Sequence, residues 1–132
     1  KRDYYFAIEQ INNPGIIGSI DLRSPEYIER AETGYWMAVP HWGNGYMTDA
    51  VRLVCYLGFK YLGLIKIYAP VFIGNTASRR VLEKNRFSSE GVLHCHHKKR
   101  GQWHDVWYMS LLRSVWMKEQ EFYKPQHELI QT

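Results

Sequence analysis

From Ile16 to Leu22 the chain alternates Ile16, Gly18, Ile20 and Leu22 against Ile17, Ser19 and Asp21, the two-residue period of a half-buried strand. The aromatic run Tyr4 to Gln10 precedes it, and Asn12-Asn13-Pro14-Gly15 between them is a turn, so the two pair as a hairpin. Arg23 to Arg30, with Pro25, reads as a charged loop. Glu32 to Val39 reads as a third strand, closed by Pro40, whose missing N–H cannot extend a ladder. The period then changes. Ala50, Val51, Val54, Leu57 and Tyr61 fall on one side of a helix over Thr48 to Leu62, and Gly63 is placed to cap it. Ile65 to Phe72 is strand-like except for Pro70, near which it should lose a neighbour. Asn75 to Asn85 is a second helix, with Asn75 or Thr76 at its start and Val81 and Leu82 buried. Phe87 to His97 and Trp103 to Leu112 are strands joined by Lys98-Lys99-Arg100-Gly101. Arg113 onward is helical to about Tyr123 and loose after Pro125. The order β-β-β-α-β-α-β-β describes an α+β domain over residues 1–116 with a tail over 117–132.

Composition narrows this picture without redirecting it. With 132 residues, 45% apolar and 23% charged, the chain supports one ordinary core. It has no stretch apolar enough to cross a bilayer, and its start, Lys1-Arg2-Asp3-Tyr4-Tyr5, lacks the apolar core of a signal peptide. Cys55 and Cys95 form no framework, so reduced thiols and a cytoplasmic location are expected. A net charge of +4 suits an anionic ligand but does not select one. The chain begins at Lys1 and runs at once into a strand, which suggests a fragment.

Candidate chemistry starts at the turn ahead of the first helix. Gly43 and Gly45 bracket Asn44, and glycines so placed allow positive φ and let a phosphate approach the backbone. The N–H groups at a helix start converge on negative charge. Taken alone, the same pattern is an ordinary tight turn.

The surrounding residues add to it. Ala31-Glu32-Thr33-Gly34-Tyr35-Trp36-Met37-Ala38-Val39-Pro40-His41-Trp42-Gly43-Asn44-Gly45-Tyr46-Met47-Thr48-Asp49-Ala50 resembles the fourth strand, loop and third helix of GNAT acetyltransferases. The resemblance is nearest to the branch that acetylates protein N-termini, including ribosomal-protein alanine and serine acetyltransferases. Two further stretches resemble that family: Asn75-Thr76-Ala77-Ser78-Arg79-Arg80-Val81-Leu82-Glu83-Lys84-Asn85-Arg86-Phe87, and His104-Asp105-Val106-Trp107-Tyr108-Met109-Ser110-Leu111-Leu112. Together they span Gly18 to about Trp116.

The resemblance implies the GNAT fold, a mixed central sheet whose fourth and fifth strands pair and then splay around a pantetheine arm. Pro70 suits such a splay. It also implies that a first strand and two helices, one wall of the acceptor groove in this family, are missing ahead of Tyr4. Acetyl-CoA is the implied co-substrate. The N–H groups of Met37, Ala38 and Val39 would bind pantetheine and polarise the thioester. Trp42, Gly43, Asn44, Gly45, Tyr46, Met47 and Thr48 would hold the pyrophosphate, and Asn75, Ser78 and Lys84 would add contacts to the coenzyme. The chain departs from the family at three places. Trp42 stands where Gln or Arg is usual, the bulky Met47 replaces Gly or Ala, and Arg86 replaces a frequent glycine. A tyrosine that protonates the thiolate in many members is matched here by Leu82, and the resemblance to the ribosomal-protein branch implies Ser78 as the proton donor instead. A serine in a first helical turn also caps backbone groups, so both roles stand. Glu32 and His97 are alternative general bases, each with a bland counterpart as a surface ion pair or a solvated histidine.

The run His94-Cys95-His96-His97 raises the question of metal. On a regular strand His94 and His96 face away from Cys95 and His97, and no zinc-finger spacing accompanies them, so no metal is expected. The expected function is acetyl transfer to a primary amine, foremost a protein N-terminal amine, by direct attack in a ternary complex. A small-molecule amine (polyamine, amino sugar or antibiotic) and a non-catalytic acyl-CoA-binding module are the alternatives. No nucleic-acid or membrane partner is expected, and a homodimer is admitted, since a neighbour would lend surface to the groove.

Overall fold

The computed structural model describes residues 3–24 and 29–122. Its strands are β1 (Asp3–Gln10), β2 (Asn13–Arg23), β3 (Arg30–Met37), β4 (Lys66–Phe72), β5 (Ser88–Lys99) and β6 (Gln102–Leu112). Its helices are α1 (Tyr46–Tyr56), α2 (Thr76–Lys84) and α3 (Arg113–Phe122). The strands form one sheet in the order β1-β2-β3-β4-β6-β5, antiparallel except for β3 against β4.

The alternation in β2 sorts its residues onto two faces. Ile20 and Leu22 join Ala31, Ile67, Ala69, Val71, Met109 and Leu111 beneath the helices, where Met47, Val51, Val54, Phe59, Leu82 and Trp116 close the core. Each large side chain buried there contributes about 1.5–3 kcal/mol. The opposite face carries Asp21, Arg23, Glu32, Trp36, Tyr68 and Tyr108 by the same alternation, and none of the described helices covers it.

Several boundaries shift from the sequence expectation, for local reasons. The first turn is Ile11-Asn12, and β2 starts at Asn13 because Gln10 pairs with Asn13 across two irregular steps. Pro14 is tolerated there because β3 reaches only as far as Gly18, leaving that edge of β2 open. The turn between β5 and β6 is Arg100-Gly101, both left-handed at φ 51° and 78°, so Lys98 and Lys99 belong to β5. Helix α1 begins two residues early and ends in a π-helical turn over Leu57–Tyr61, closed by Leu62 N–H on the Leu57 carbonyl. Its buried stripe is Met47, Ala50, Val51, Val54, Cys55, Gly58 and Phe59. Tyr61, expected inside, is exposed. Gly63 is left-handed, as a C-terminal glycine should be. The Pro25 loop falls partly, and the chain from Tyr123 wholly, outside the described residues. Helix α3 crosses the expected boundary at residue 116, with Trp116 packed on Tyr56 and Phe59.

The parallel pair is short. Arg30, Ala31 and Glu32 lie opposite Lys66, Ile67 and Tyr68, and pairing stops there. Ile65 accepts from Arg113 N–H and Ile73 N–H donates to Asp105, so odd positions of β4 face β6 and even positions face β3. Pro70 is therefore the first residue whose N–H would have continued the ladder to β3. The proline sits where the strands part, while its other edge stays paired opposite Tyr108.

Candidate functional site

The β3 wall of the gap is set by one hydrogen bond. Ala38 N–H donates to the Ile17 carbonyl at 2.8 Å, making Ala38 and Ile17 a hydrogen-bonded antiparallel pair. The neighbouring Met37, opposite Gly18, then turns its N–H and C=O away from β2 and into the gap. The indole N–H of Trp42 takes the Met37 carbonyl at 2.7 Å, which leaves the Met37 N–H as the gap-facing donor. Of the three amides expected to meet pantetheine, Ala38 is thus spent on the sheet. Val39 lies outside β3, at the head of a 3-10 turn (Val39–His41).

Beyond that turn the chain forms a nest of amides. Gly43 and Gly45 are both left-handed at φ 78°, and an added Cβ at either meets nothing within 4 Å, so the constraint is backbone conformation rather than crowding. Asn44 Nδ2 donates to the carbonyls of His41 and Trp42, each at 3.2 Å, drawing the loop closed. Gly45 is the N-cap of α1 and provides no side-chain acceptor, and the first intrahelical bond is Asp49 N–H to the Gly45 carbonyl. The N–H groups of Tyr46, Met47 and Thr48 therefore have no acceptor within the helix. Met47 does not crowd them, because its side chain is buried in the core at 8% exposure. Tyr46 stands beside the nest with its hydroxyl accepting from Gln10 Nε2 at 2.6 Å. The pyrophosphate expected from the sequence fits this donor set: converging N–H groups, a helix dipole and no competing carboxylate cap.

Helix α2 closes the other side. Asn75 is its N-cap, with Oδ1 accepting from Ser78 N–H at 3.1 Å. Ser78 Oγ lies 2.8 Å from the Tyr35 hydroxyl, which also donates to the Ser78 carbonyl at 3.1 Å. Burial pushes the Tyr35 phenol up to about 12, with the bond to Ser78 pulling the other way. Sequence reasoning passed over Tyr35. Its signal was present: a polar-tipped aromatic on the covered face of a strand needs a partner. At the far end of α2, Asn85 Nδ2 donates to the carbonyls of Thr48 and Val81, each at 3.1 Å, bringing that end against the nest. Lys84, the preceding residue, is exposed there.

The two candidate bases share the bare face but not a location. Glu32 sits on the last paired rung before the splay, its carboxylate 2.8 Å from Arg23 Nη2. Arg23 Nε also holds Asp21 at 3.0 Å; burial lowers the Arg23 guanidinium, but the two carboxylates together outweigh that and raise it. His97 lies on β5 with its ring edge-on to Phe72, centroids 5.4 Å apart, and His104 packs on the same ring at 5.1 Å. By strand spacing Glu32 and His97 are on the order of 20 Å apart, so they do not act on one proton. On the same face Tyr68 and Tyr108 stack at 5.3 Å, and Lys66 Nζ pairs with Glu90 at 2.7 Å. The Lys66 ammonium and then the Ser110 hydroxyl hold the Glu90 carboxyl below the usual range.

The histidine run is not a regular strand. Cys95 is left-handed at φ 49°, and the β5–β6 register slips between Leu93 and His97, so the expected strict alternation breaks. Asp105 organises the bulge, accepting from Cys95 N–H at 2.9 Å and contacting His94 Nδ1 at 3.0 Å. No group of three or more candidate metal ligands occurs among the described residues. No described helix is long and apolar enough to cross a membrane.

Comparison with known proteins places these features in a family context. A family model described as an acetyltransferase (GNAT) domain matches residues 1–88. The chain is 35% identical over 114 residues to the uncharacterized N-acetyltransferase YoaA of Bacillus subtilis (strain 168), covering 86% of this chain and 64% of that protein. It is 29% identical to the spermidine N(1)-acetyltransferase of Vibrio cholerae, covering 88% of this chain and 67% of that one. A crystal structure of the ribosomal-protein-S5-alanine acetyltransferase from Vibrio fischeri superposes with a TM-score of 0.78 at 25% identity, covering 86% of this chain and 63% of that one. The chain therefore spans about two thirds or less of the length of these proteins.

Proposed function

The chain belongs to the GNAT acetyltransferase family, and from that premise we propose that it transfers the acetyl group of acetyl-CoA to a protein N-terminal amine by direct attack in a ternary complex. The observation that carries this reading is the parting of β3 and β4 after Glu32 and Tyr68, with the Met37 N–H turned into the gap and the amide nest at its head.

Acetyl-CoA supplies an activated thioester. The amides of Gly43 to Thr48 bind its pyrophosphate, and the Met37 N–H donates to the oxygen on which negative charge develops. Asn75 keeps the first turn of α2 in place, and we assign Ser78, in that turn, to the leaving sulfur. As the new C–N bond forms and the C–S bond breaks, Ser78 protonates the thiolate and regains its proton from solvent. The amine must give up a proton as well. Glu32 is committed to Arg23, so His97, acting through water, is the base we assign.

A protein N-terminus is favoured over a polyamine by the charge pattern beside the splay. A polycation selects a site with uncompensated carboxylates. Here Asp21 and Glu32 are bridged by Arg23, and Glu90 by Lys66.

The test is titration of the full chain with acetyl-CoA, followed by an amine panel containing N-terminal Ala and Ser peptides, spermidine and an aminoglycoside. The peptides should exceed spermidine in kcat/KM by about tenfold, while Ser78→Ala and His97→Ala each lower kcat by about 10²-fold and leave coenzyme binding largely intact. Preference for spermidine replaces the acceptor. Full rate in both variants removes the catalytic assignments, and coenzyme binding without turnover of any amine leaves a non-catalytic acyl-CoA-binding module.

A further inference from the structure

Tyr35 has no part in the chemistry assigned above, yet its hydroxyl crosses from β3 to the first turn of α2 and, among the described residues, makes both of its polar contacts with Ser78. Its ring lies on the covered face, since Tyr35 stands opposite the buried Ile20. A phenylalanine would fill the same volume. The hydroxyl is therefore not required by packing.

Tyr35 has one proton and, among the described residues, two acceptors in reach, the Ser78 carbonyl at 3.1 Å and Ser78 Oγ at 2.8 Å. Ser78 likewise has one hydroxyl proton. With the Tyr35 proton on the carbonyl, the short contact between the hydroxyls is made by Ser78 donating to Tyr35, and Ser78 has nothing left to give outward. With the Tyr35 proton on Oγ, the Ser78 proton points away from the phenol. A hydroxyl that accepts a hydrogen bond also becomes a stronger donor. Without Tyr35, the Ser78 hydroxyl is free to turn back onto a carbonyl of the preceding turn, as serines in helices do.

We propose that Tyr35 is a positioning residue for Ser78, donating to its Oγ so that the Ser78 proton is directed into the gap toward the leaving sulfur. This rests on the reading of Ser78 as the proton donor, and it adds a residue that ties the two walls of the gap to that donor.

The test uses coenzyme A alone, so it does not depend on the acceptor. In the binary complex with the full chain, the thiol of coenzyme A is titrated by its thiolate absorbance. A directed donor stabilises the thiolate, so the bound thiol of the native protein should ionise more readily than that of Tyr35→Phe, by about threefold to tenfold in acid constant. Ser78→Ala should give the same loss, and the double variant no further loss. In turnover with the best amine of the panel, Tyr35→Phe should lower kcat and leave the KM for acetyl-CoA within about twofold. If Tyr35→Phe leaves the thiol unchanged while Ser78→Ala shifts it, the Tyr35 role is overturned and the Ser78 reading stands. If Ser78→Ala has no effect, both fall. If the two losses multiply in the double variant, Tyr35 acts apart from Ser78 and the proposal is wrong. Should Tyr35→Phe fail to fold, 3-fluorotyrosine at position 35, a stronger donor, must make the bound thiol more acidic. No change there overturns the proposal equally.

Discussion

Trp42 is 63% exposed, yet its indole N–H is fixed on the Met37 carbonyl at 2.7 Å. The bond does two things at once. It anchors the glycine loop to the end of β3, and it removes a carbonyl from the gap so that the backbone there presents a donor. Replacing Trp42 by phenylalanine keeps an aromatic ring and deletes only the N–H. One such hydrogen bond is worth about 0.5–1.5 kcal/mol, so the Kd for acetyl-CoA should rise by roughly fivefold. Calorimetric titration checks this, and an unchanged affinity would mean that the loop keeps its shape without the staple. The sequence marked Trp42 as part of the loop but not its task, because the partner is a backbone carbonyl five residues away. Tyr35 was missed for a related reason. Alternation along β3 tells which face a residue takes, but not that its hydroxyl meets a helix 43 residues further on.

Among the elements, the end of α2 shows what a departure from a family pattern means physically. Arg86 N–H donates to the Glu83 carbonyl at 3.0 Å and Phe87 N–H to the Leu82 carbonyl at 3.1 Å, a Schellman closure with Arg86 as the left-handed residue at φ 71°. Glycine takes that conformation without a Cβ penalty, and arginine does not. Arg86→Gly should therefore stabilise the fold by about 0.5–1 kcal/mol, seen as a higher midpoint in denaturant at constant m-value. A loss of stability instead would show that contacts of the arginine side chain outweigh the backbone strain. The resemblance made this position visible, and the turn geometry explains it. Pro70 and the glycine pair were legible for the same kind of reason, since each is a local backbone rule with one structural outcome. The buried stripe of α1 was less so. Counting large side chains favoured Leu57 and Tyr61 over Cys55 and Gly58. An added Cβ at Gly58 would lie 2.9 Å from Leu64 Cδ1 and 3.0 Å from Ile67 Cδ1, so that position is buried because it is small. Periodicity weighted by size does not register such a contact.

At the scale of the whole molecule, α1 connects the site to the core. Its first turn carries the amide nest, and its last carries Cys55, 2% exposed between helix and sheet, where burial pushes the thiol up and keeps it unreactive. Cys95 is exposed on β5. A thiol reagent should therefore modify Cys95 at once and Cys55 only when α1 leaves the sheet, an opening that also dismantles the nest. A ligand that binds only the closed form slows such a reaction by the factor 1 + [L]/Kd. Acetyl-CoA, whose sulfur is blocked as the thioester, at 100 times its Kd should thus slow Cys55 labelling by about 100-fold and leave Cys95 unaffected. Mass spectrometry of labelled peptides separates the two rates. If acetyl-CoA binds and Cys55 labelling keeps its pace, the opening that exposes the thiol spares the binding site, and the helix start is not where the pyrophosphate is held. A slowing that tracks coenzyme concentration ties the loop, the helix and the core into one cooperative unit, as expected when a single helix carries both the nest and the buried stripe.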